Sequence, residues 1–175
     1  MRTELVFTLT GKDRIGLVEE VTGAFLALDG NVETSRMMRL GGEFAMLVLV
    51  SVPTERLAEL DATASALTEE GYLVTTRPVN EAEGDRTGWL PYRVSVTGAD
   101  HEGIIHQIAH GLSERGINIE SMDTATIQAP VSGTPLFSMS GVALVPPTIA
   151  EEDWIGTLIE AGNQANVDIE VVTGV

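Results

Sequence analysis

The chain contains no cysteine among its 175 residues. This absence excludes disulfide bridges, thiol catalysis and zinc sites built on thiolate ligands. Positive charge is also scarce: 10 lysines and arginines stand against 26 aspartates and glutamates, which gives a formal net charge of -16. Because so acidic a surface repels phosphate backbones, we expect no direct binding to nucleic acid.

Long hydrophobic runs are missing as well. The stretch FAMLVLVSV is far too short to cross a bilayer, and the first residues do not have the pattern of a signal peptide. We therefore expect no membrane partner and a cytoplasmic protein. The apolar residues that are present, 43% of the chain, are enough for a globular core and argue against disorder.

A repeat with a spacing of 87 residues organises the chain. TGKDRIGLVEEV at 10–21 is matched by TGADHEGIIHQI at 97–108. Further along, the spacing becomes 93, and we interpret QAPVSGTP as the loop that holds the extra residues. The polar stretch NEAEGDRTG indicates a linker. We predict one module at 1–80, a linker at 81–88 and a second module at 89–175.

Each copy predicts the element order βαββαβ. In the first copy, alternating apolar residues indicate a strand, and apolar residues at helical spacing from Ile15 to Leu28 indicate the helix that follows it. Gly30 is expected to end that helix, and GG at 41–42 to connect two further strands. The fold class is therefore α+β, with two tandem ferredoxin-like modules of antiparallel strands that carry two helices on one face. The first and third strands should be central and the second should lie at an edge.

The second copy carries its own signals for a helix near its end. TIAE at 148–151 predicts a capping box, with Thr148 as the cap and Glu151 reaching back. The buried stripe of this helix is predicted to consist of four residues, Trp154, Ile155, Leu158 and Ile159.

The polar turn before the first helix is a candidate anion site. Asp13 could cap the helix, Gly16 could let a ligand approach the backbone, and the helix-start amides favour negative charge. Asn31 offers a donor and an acceptor, but it begins the strand after the helix, so it could join only from a neighbouring copy or by a fold-back. This chemistry suits a free amino acid better than a phosphate. The alternative is that these residues are only caps and turns.

The segments DRIGLV…NVE and DHEGII…NIE resemble the opening of an ACT domain, and two copies that fill the chain are similar to the glycine cleavage system transcriptional repressor family. The resemblance implies amino-acid binding at both loops, often at an interface between modules. The ligand-binding residues that it implies are Asp13, Arg14, Ile15, Gly16, Leu17 and Asn31 in the first copy, and Asp100, His101, Glu102, Gly103, Ile104 and Asn118 in the second.

Three positions depart from the motif DRPG that is typical of this family. Ile15 and Glu102 stand in place of the proline, and His101 stands in place of the arginine. We expect the second loop to be the weaker site, because the charge of Glu102 opposes a carboxylate at the helix start.

Three histidines raise a metal hypothesis for the second copy. His106 and His110 are four residues apart on one predicted helix, and His101 lies close before it. Both helical histidines fall opposite the apolar stripe, which favours a solvated face. Nucleophile and nucleotide-binding motifs are absent from the sequence. We therefore expect no enzyme activity, no cofactor and no metal.

The sequence leads to a non-enzymatic regulatory protein that senses a small amino acid and acts through a protein partner. The resemblance favours glycine or serine as the ligand, a transcription factor or metabolic enzyme as the partner, and transcriptional control of glycine cleavage as the role. We expect a homodimer, because edge strands expose unpaired backbone groups. The alternatives are an orphan regulatory subunit of a metabolic enzyme, a small metal-dependent enzyme, and a structural module whose loops only cap helices.

Overall fold

A computed structural model of the protein describes residues 1–79, 86–129 and 133–174. The chain divides into two compact units, Met1–Gly84 and Asp85–Val175. Most of the predicted linker at 81–88, and the middle of the QAPVSGTP loop, lie outside the described residues.

The two units contain the same order of strands and helices. Unit 1 consists of β1 (Arg2–Lys12), α1 (Leu17–Ala27), β2 (Asn31–Leu40), β3 (Glu43–Pro53), α2 (Leu57–Glu69) and β4 (Leu73–Pro78), with one 3-10 turn at Thr54–Arg56. Unit 2 consists of β5 (Leu90–Ala99), α3 (Ile104–Ser113), β6 (Asn118–Gln128), β7 (Pro135–Val145), α4 (Glu151–Gln164) and β8 (Val167–Thr173).

Each unit forms one four-stranded antiparallel sheet. The strand order is β2-β3-β1-β4 in unit 1 and β6-β7-β5-β8 in unit 2. The predicted α+β fold of two βαββαβ modules is confirmed, with the first and third strands at the centre. In unit 1, the central strands β1 and β3 supply half of the buried core residues, namely Leu5, Phe7, Leu9, Met46, Val48, Val50 and Val52.

The two helices of each unit cover the same face of its sheet. In unit 1, Phe7 of β1 meets Phe25 of α1 edge to face, with ring centroids 5.1 Å apart. In unit 2, Tyr92 of β5 meets Trp154 of α4 at 5.0 Å in the same geometry. The other face of each sheet carries no helix of its own unit, so it is the open face.

Some local expectations are wrong. Ile15 was expected in the helical stripe, but α1 begins at Leu17 and the Ile15 side chain is 103% exposed. Left-handed backbone at the end of α1 is supplied by Asp29, at φ 53°, and not by Gly30. Because the left-handed region tolerates aspartate, this residue can take the place that glycine usually fills.

The capping box predicted for α4 is also absent. The residue at its N-cap is Ala150, and no side chain caps this helix. Trp154 and Leu158 are buried as expected, whereas Ile159 is 43% exposed. The acidic first turn, Glu151 to Asp153, instead complements the positive end of the helix dipole. No helix in the described part of the chain is long and apolar enough to cross a membrane.

Candidate functional site: two helix-start loops

The two candidate loops occupy the same place in their units. Each follows the first strand and lies against the hairpin that joins the second and third strands. The amide of Asp13 donates to the carbonyl oxygen of Gly42 at 3.1 Å, and the amide of Asp100 donates to that of Pro135 at 3.0 Å. These backbone bonds hold both loops at the hairpin end of the sheet.

The aspartates do not cap the helices. Gly16 and Gly103 occupy the N-cap positions, at φ 87° and 93°, and neither helix receives a side-chain cap. Asp13 accepts instead from Arg39 at 2.8 Å. The glycines are required by the left-handed backbone, since a Cβ atom at either position would meet nothing within 4 Å.

The helix starts therefore keep unsatisfied amides. In the part of the chain that the structure describes, the amides of Ile105 and His106 have no protein acceptor, and neither do those of Val18 and Glu19. Such amides, at the positive end of a helix dipole, can accept an anionic group. Leu17 and Ile104 are each 2% exposed, so their side chains belong to the core and only their backbone faces the loop.

The cation of the first loop is neutralised by its own unit. Arg14 donates to Glu20 at 2.6 Å and to Glu70 at 3.3 Å, and its Nε donates to the Tyr72 hydroxyl at 3.0 Å. The bonds to Glu20 and Tyr72 raise the pKa of Arg14 above its ordinary range. Because two carboxylates already surround this guanidinium, it offers little attraction to a further anion.

The cation of the second loop is held by carbonyl oxygens. The Nε2 atom of His101 contacts the Ala165 carbonyl oxygen, and Nδ1 contacts that of Glu102 at 3.0 Å. Carbonyl oxygens only accept, so the pair favours an imidazole protonated on both nitrogens. The bond to Ala165 first, then the bond to Glu102 and the charge of Asp100, raise the pKa of His101 above 6.5.

An open cavity of about 630 Å³ lies beside the second loop. Its polar groups are those of Asp100, His101, His106, Thr124 and Thr126, and its apolar walls are Ile104, Ile105, Ala109 and Phe137. The Thr126 hydroxyl donates to the Asp100 carboxylate at 3.4 Å. The volume lies within the range of about 300–1,000 Å³ that is typical of small-molecule sites.

The first loop borders a smaller cavity of about 370 Å³. Its lining consists of Lys12, Asp13, Arg14, Glu70, Gly71 and Tyr72. This cavity therefore opens toward the end of α2, whereas the cavity of the second loop lies along α3 and the edge strand β6.

The asparagines lie far from the loops of their own units. Asn31 pairs with Ser51, which pairs with Glu4, whereas the loop follows Lys12 at the other end of β1. Eight residues of strand separate these positions by about 27 Å. The Asn31 amide donates to Glu33 at 2.9 Å. This bond, together with one from Ser51, lowers the pKa of Glu33.

The side chain of the second asparagine is also hydrogen-bonded away from its loop. Asn118 accepts from Arg86 at 3.1 Å. Within one unit, neither asparagine therefore joins its loop, as the position at the start of the second strand implied.

The remaining predicted residues are exposed. In the described structure, the side chains of Ile15 and Glu102 form no hydrogen bond. The backbone carbonyl oxygen of Glu102 accepts from His101. His106 and His110 stack with ring centroids 6.0 Å apart, and His110 lies 3.4 Å from Glu114. Among residues 1–79, 86–129 and 133–174, no three metal-binding side chains come together.

Sequence reasoning missed the strand side of the cavity. Thr124 and Thr126 pair with Met139 and Phe137, whose side chains face the helices, so both threonines face the helices too. The alternation in MDTATIQ contains this signal. To tell which residues of this segment face the helices, one needs the register of β6 against β7, and that register depends on the length of the loop between them.

Two βαββαβ units in tandem, each with an uncapped helix start beside its hairpin, define a protein class: tandem ferredoxin-like modules.

Comparison with known proteins specifies the family. Residues 3–74 match the family model of the ACT domain. Across the whole of both chains, the structure is similar to that of an unknown protein from Galdieria sulphuraria, with 32% sequence identity and a TM-score of 0.86. It shares its fold with a protein assigned as a glycine cleavage system transcriptional repressor, with 19% identity, 99% of each chain covered and a TM-score of 0.70. Among curated proteins, none matches the sequence significantly. Unit 1 therefore contains an ACT domain, and unit 2 repeats its βαββαβ fold.

Proposed function

We propose that this protein is a non-enzymatic sensor of a small amino acid, with glycine or serine as the favoured ligand, and that it signals through a protein partner. The observation that carries the proposal is the open cavity at the second loop, where a helix start, the His101 imidazole and the Asp100 carboxylate converge. The likeness in fold to a glycine cleavage system repressor supports a partner in transcriptional control of that system.

The groups around the cavity match the two charges of an amino acid. Its carboxylate would accept from the free amides of Ile105 and His106 and would face the imidazolium of His101. Its ammonium would lie near the Asp100 carboxylate and the hydroxyls of β6. Because the walls of the cavity are mostly apolar, they offer few hydrogen-bonding groups to a large polar side chain of the ligand. This favours an amino acid with a small side chain.

The second loop is the better site in this proposal. The sequence favoured the first loop because of the negative charge on Glu102. The contacts favour the second, because Arg14 is bound by Glu20 and Glu70 while His101 meets no carboxylate at bonding distance in the described residues.

Signalling requires that the ligand stabilise one arrangement of the protein over another. Asn31 and Asn118, which lie away from the loops of their own units, could add to a ligand site only from a neighbouring module. A glycine- or serine-dependent change in partner binding is therefore the expected output. Co-purification from the host with and without the amino acid identifies that partner.

Calorimetry with glycine and serine tests the ligand site. We expect the wild-type protein to bind, and His101→Gln to weaken binding about tenfold or more, because the positive charge that faces the ligand carboxylate is lost. His110→Gln is the matched control, since His110 lies on the exposed face of the same helix and pairs with Glu114. If neither amino acid binds, or if both variants bind like the wild type, the proposed site is wrong.

A further inference from the structure

The open faces of the two sheets differ in charge: the first has arginines between Glu4 and Glu43 at its two ends, whereas carboxylates predominate on the second. On the open face of unit 1, Arg36 of β2 and Arg77 of β4 flank the apolar side chains of Val6, Leu47 and Leu49. Cross-strand pairs place them together, because Arg36 is opposite Leu47 and Arg77 is opposite Val6, which in turn is opposite Leu49. We call this surface the first open face.

The first open face is apolar and exposed to an unusual degree. Leu47 is 48% exposed and Met38 is 50% exposed, while Leu40 and Leu73 reach 72% and 75%. A soluble protein rarely leaves a contiguous group of large apolar side chains on one surface unless another molecule covers it.

The second open face, on unit 2, differs from the first at matching positions. Asp123 stands where Arg36 stands in unit 1, and Glu170 of β8 faces Ser95 of β5. In the middle of the sheet, Ser140 takes the place of Leu47. Asp168 lies one step along β8 on the same face. The second open face therefore has carboxylates on its outer strands and serines at its centre, together with Arg93 and Val142. Its outer strands also expose two apolar side chains, Ile127 at 56% and Val172 at 46%.

Among the described residues, no carboxylate neutralises the two arginines, although Arg36 donates to the Ser35 carbonyl oxygen at 3.0 Å. Among the described residues, Arg36 and Arg77 form no ion pair, and the same is true of Asp123, Asp168 and Glu170. Arg14, Arg39 and Arg56 differ, because each of them is bound by a carboxylate of its own unit. The unpaired arginines of unit 1 are thus on the face that also exposes its apolar side chains.

We propose that the first open face of one copy docks on the second open face of another copy of this chain. Two stacked sheets lie about 10 Å apart and bury the side chains between them. The leucines of one face would fill the space above the serines of the other, while Arg36 and Arg77 would meet Asp123 and Glu170. Copies with a net charge of -16 repel one another, and this pairing sets Arg36 and Arg77 of one copy against the acidic outer strands of another.

The size of the faces is sufficient for this interaction. The strands are spaced about 4.8 Å apart, rise about 3.3 Å per residue and average about ten residues, so each sheet covers about 600 Å² of flat area. The accessible area of a surface with protruding side chains exceeds its flat area. A standard interface buries about 800 Å² per partner, so one pair of open faces is close to that size.

A charge exchange between two copies tests the proposal. The first variant carries Arg36→Glu and Arg77→Glu, and the second carries Asp123→Arg and Glu170→Arg. Alone, each variant faces its own copies with like charges on both open faces, so we expect sedimentation to show monomers. The equimolar mixture restores opposite charges at both pairings, so it should associate as the wild type does.

Each outcome of this experiment either supports or contradicts docking between copies. Association of the mixture, with monomers for each variant alone and a concentration-dependent larger species for the wild type, supports docking between copies. A wild-type protein that stays monomeric at every concentration overturns it. Variants that associate alone, or a mixture that does not associate, overturn it as well.

A second pair of variants tests the apolar centre and keeps the fold intact. Leu47→Ser copies the residue of the second open face, and we expect it to raise the dissociation constant between copies about tenfold or more. Leu26→Ser is the matched control, because Leu26 is 74% exposed on α1 and lies on the helical side of unit 1. Circular dichroism checks that both variants are folded. Equal dissociation constants for the two variants contradict the proposal.

Discussion

The two helix-start loops have one backbone and two electrostatic characters. Gly16 and Gly103 share a left-handed φ, and both loops bond to their hairpins through an aspartate amide. In unit 1, however, the cation after that aspartate is surrounded by carboxylates, and in unit 2 it is held by carbonyl oxygens.

This difference shows which features of a duplicated module follow from its fold. The positive φ, the hairpin bond and the buried leucine or isoleucine that follows are needed in both units for the chain to turn into the helix. The side chains that face solvent at the loop carry no such requirement, so they are free to differ. The open faces differ in the same way at matching positions, because Arg36 and Leu47 in unit 1 correspond to Asp123 and Ser140 in unit 2.

The largest expected effect is a loss of stability in one unit when a large side chain of its core is removed. Trp154→Ala removes a side chain that is 1% exposed and packs on Tyr92. We expect a loss of about 3–5 kcal/mol from the free energy of unfolding of unit 2. Phe25→Ala should have a similar effect on unit 1, because the two cores share no residue. Hydrogen exchange, followed by mass spectrometry, assigns the loss of protection to a unit.

The conservative variant Trp154→Phe provides the control. The Nε1 atom of Trp154 is buried without a partner in the described structure, so phenylalanine removes an unsatisfied donor while it keeps a ring in the core. Its effect should be much smaller than that of alanine. If Trp154→Ala lowers protection equally in both units, the cores are coupled and the comparison of separate units fails.

The sequence contained most of the fold. The alternation of Leu5, Phe7 and Leu9 and the repeat at 87 residues predicted strand order, helix number and the central strands, because periodicity reports which side chains are buried. Helix ends were less predictable. Ile15 and the TIAE segment fit the residue types expected near a helix start. The first residue of a helix, however, depends on backbone conformation, and the N-cap is a glycine in α1 and an alanine in α4.

The candidate site was only partly predictable. The loop residues Asp100, His101 and Gly103 could be located because they follow a strand and precede a helix. Their contacts could not, since Ala165 comes from the distant end of α4 and Thr126 from the edge strand β6. The contrast between a neutralised Arg14 and a carbonyl-bound His101 depends on those distant partners.

An intermediate effect is expected when the shared backbone is strained in either unit. Gly16→Ala and Gly103→Ala each force a side chain into the left-handed region, which costs about 1–2 kcal/mol of stability. Space does not limit either variant, since nothing lies within 4 Å of the added Cβ. Chemical denaturation should show losses of similar size, each in its own unit. A difference of more than a factor of about two would mean that the loops do not share one backbone role.

The smallest expected effect is a pH dependence that unit 2 has and unit 1 lacks at this position. The pKa of His101 is raised above 6.5 in the folded protein by the Ala165 carbonyl oxygen, while in the unfolded chain it keeps its ordinary value. The stabilisation is therefore fully present below about pH 6.5 and is lost as the pH rises through the raised pKa. Arg14, at the matching position, stays charged throughout this range.

Thermal unfolding between about pH 6 and about pH 9, followed by NMR titration of the His101 ring, measures the effect. His106 and His110 are present in both wild type and His101→Gln, so the difference between the two profiles isolates His101. Identical profiles, or a His101 pKa at or below 6.5, would show that the two carbonyl oxygens do not stabilise an imidazolium at the second loop.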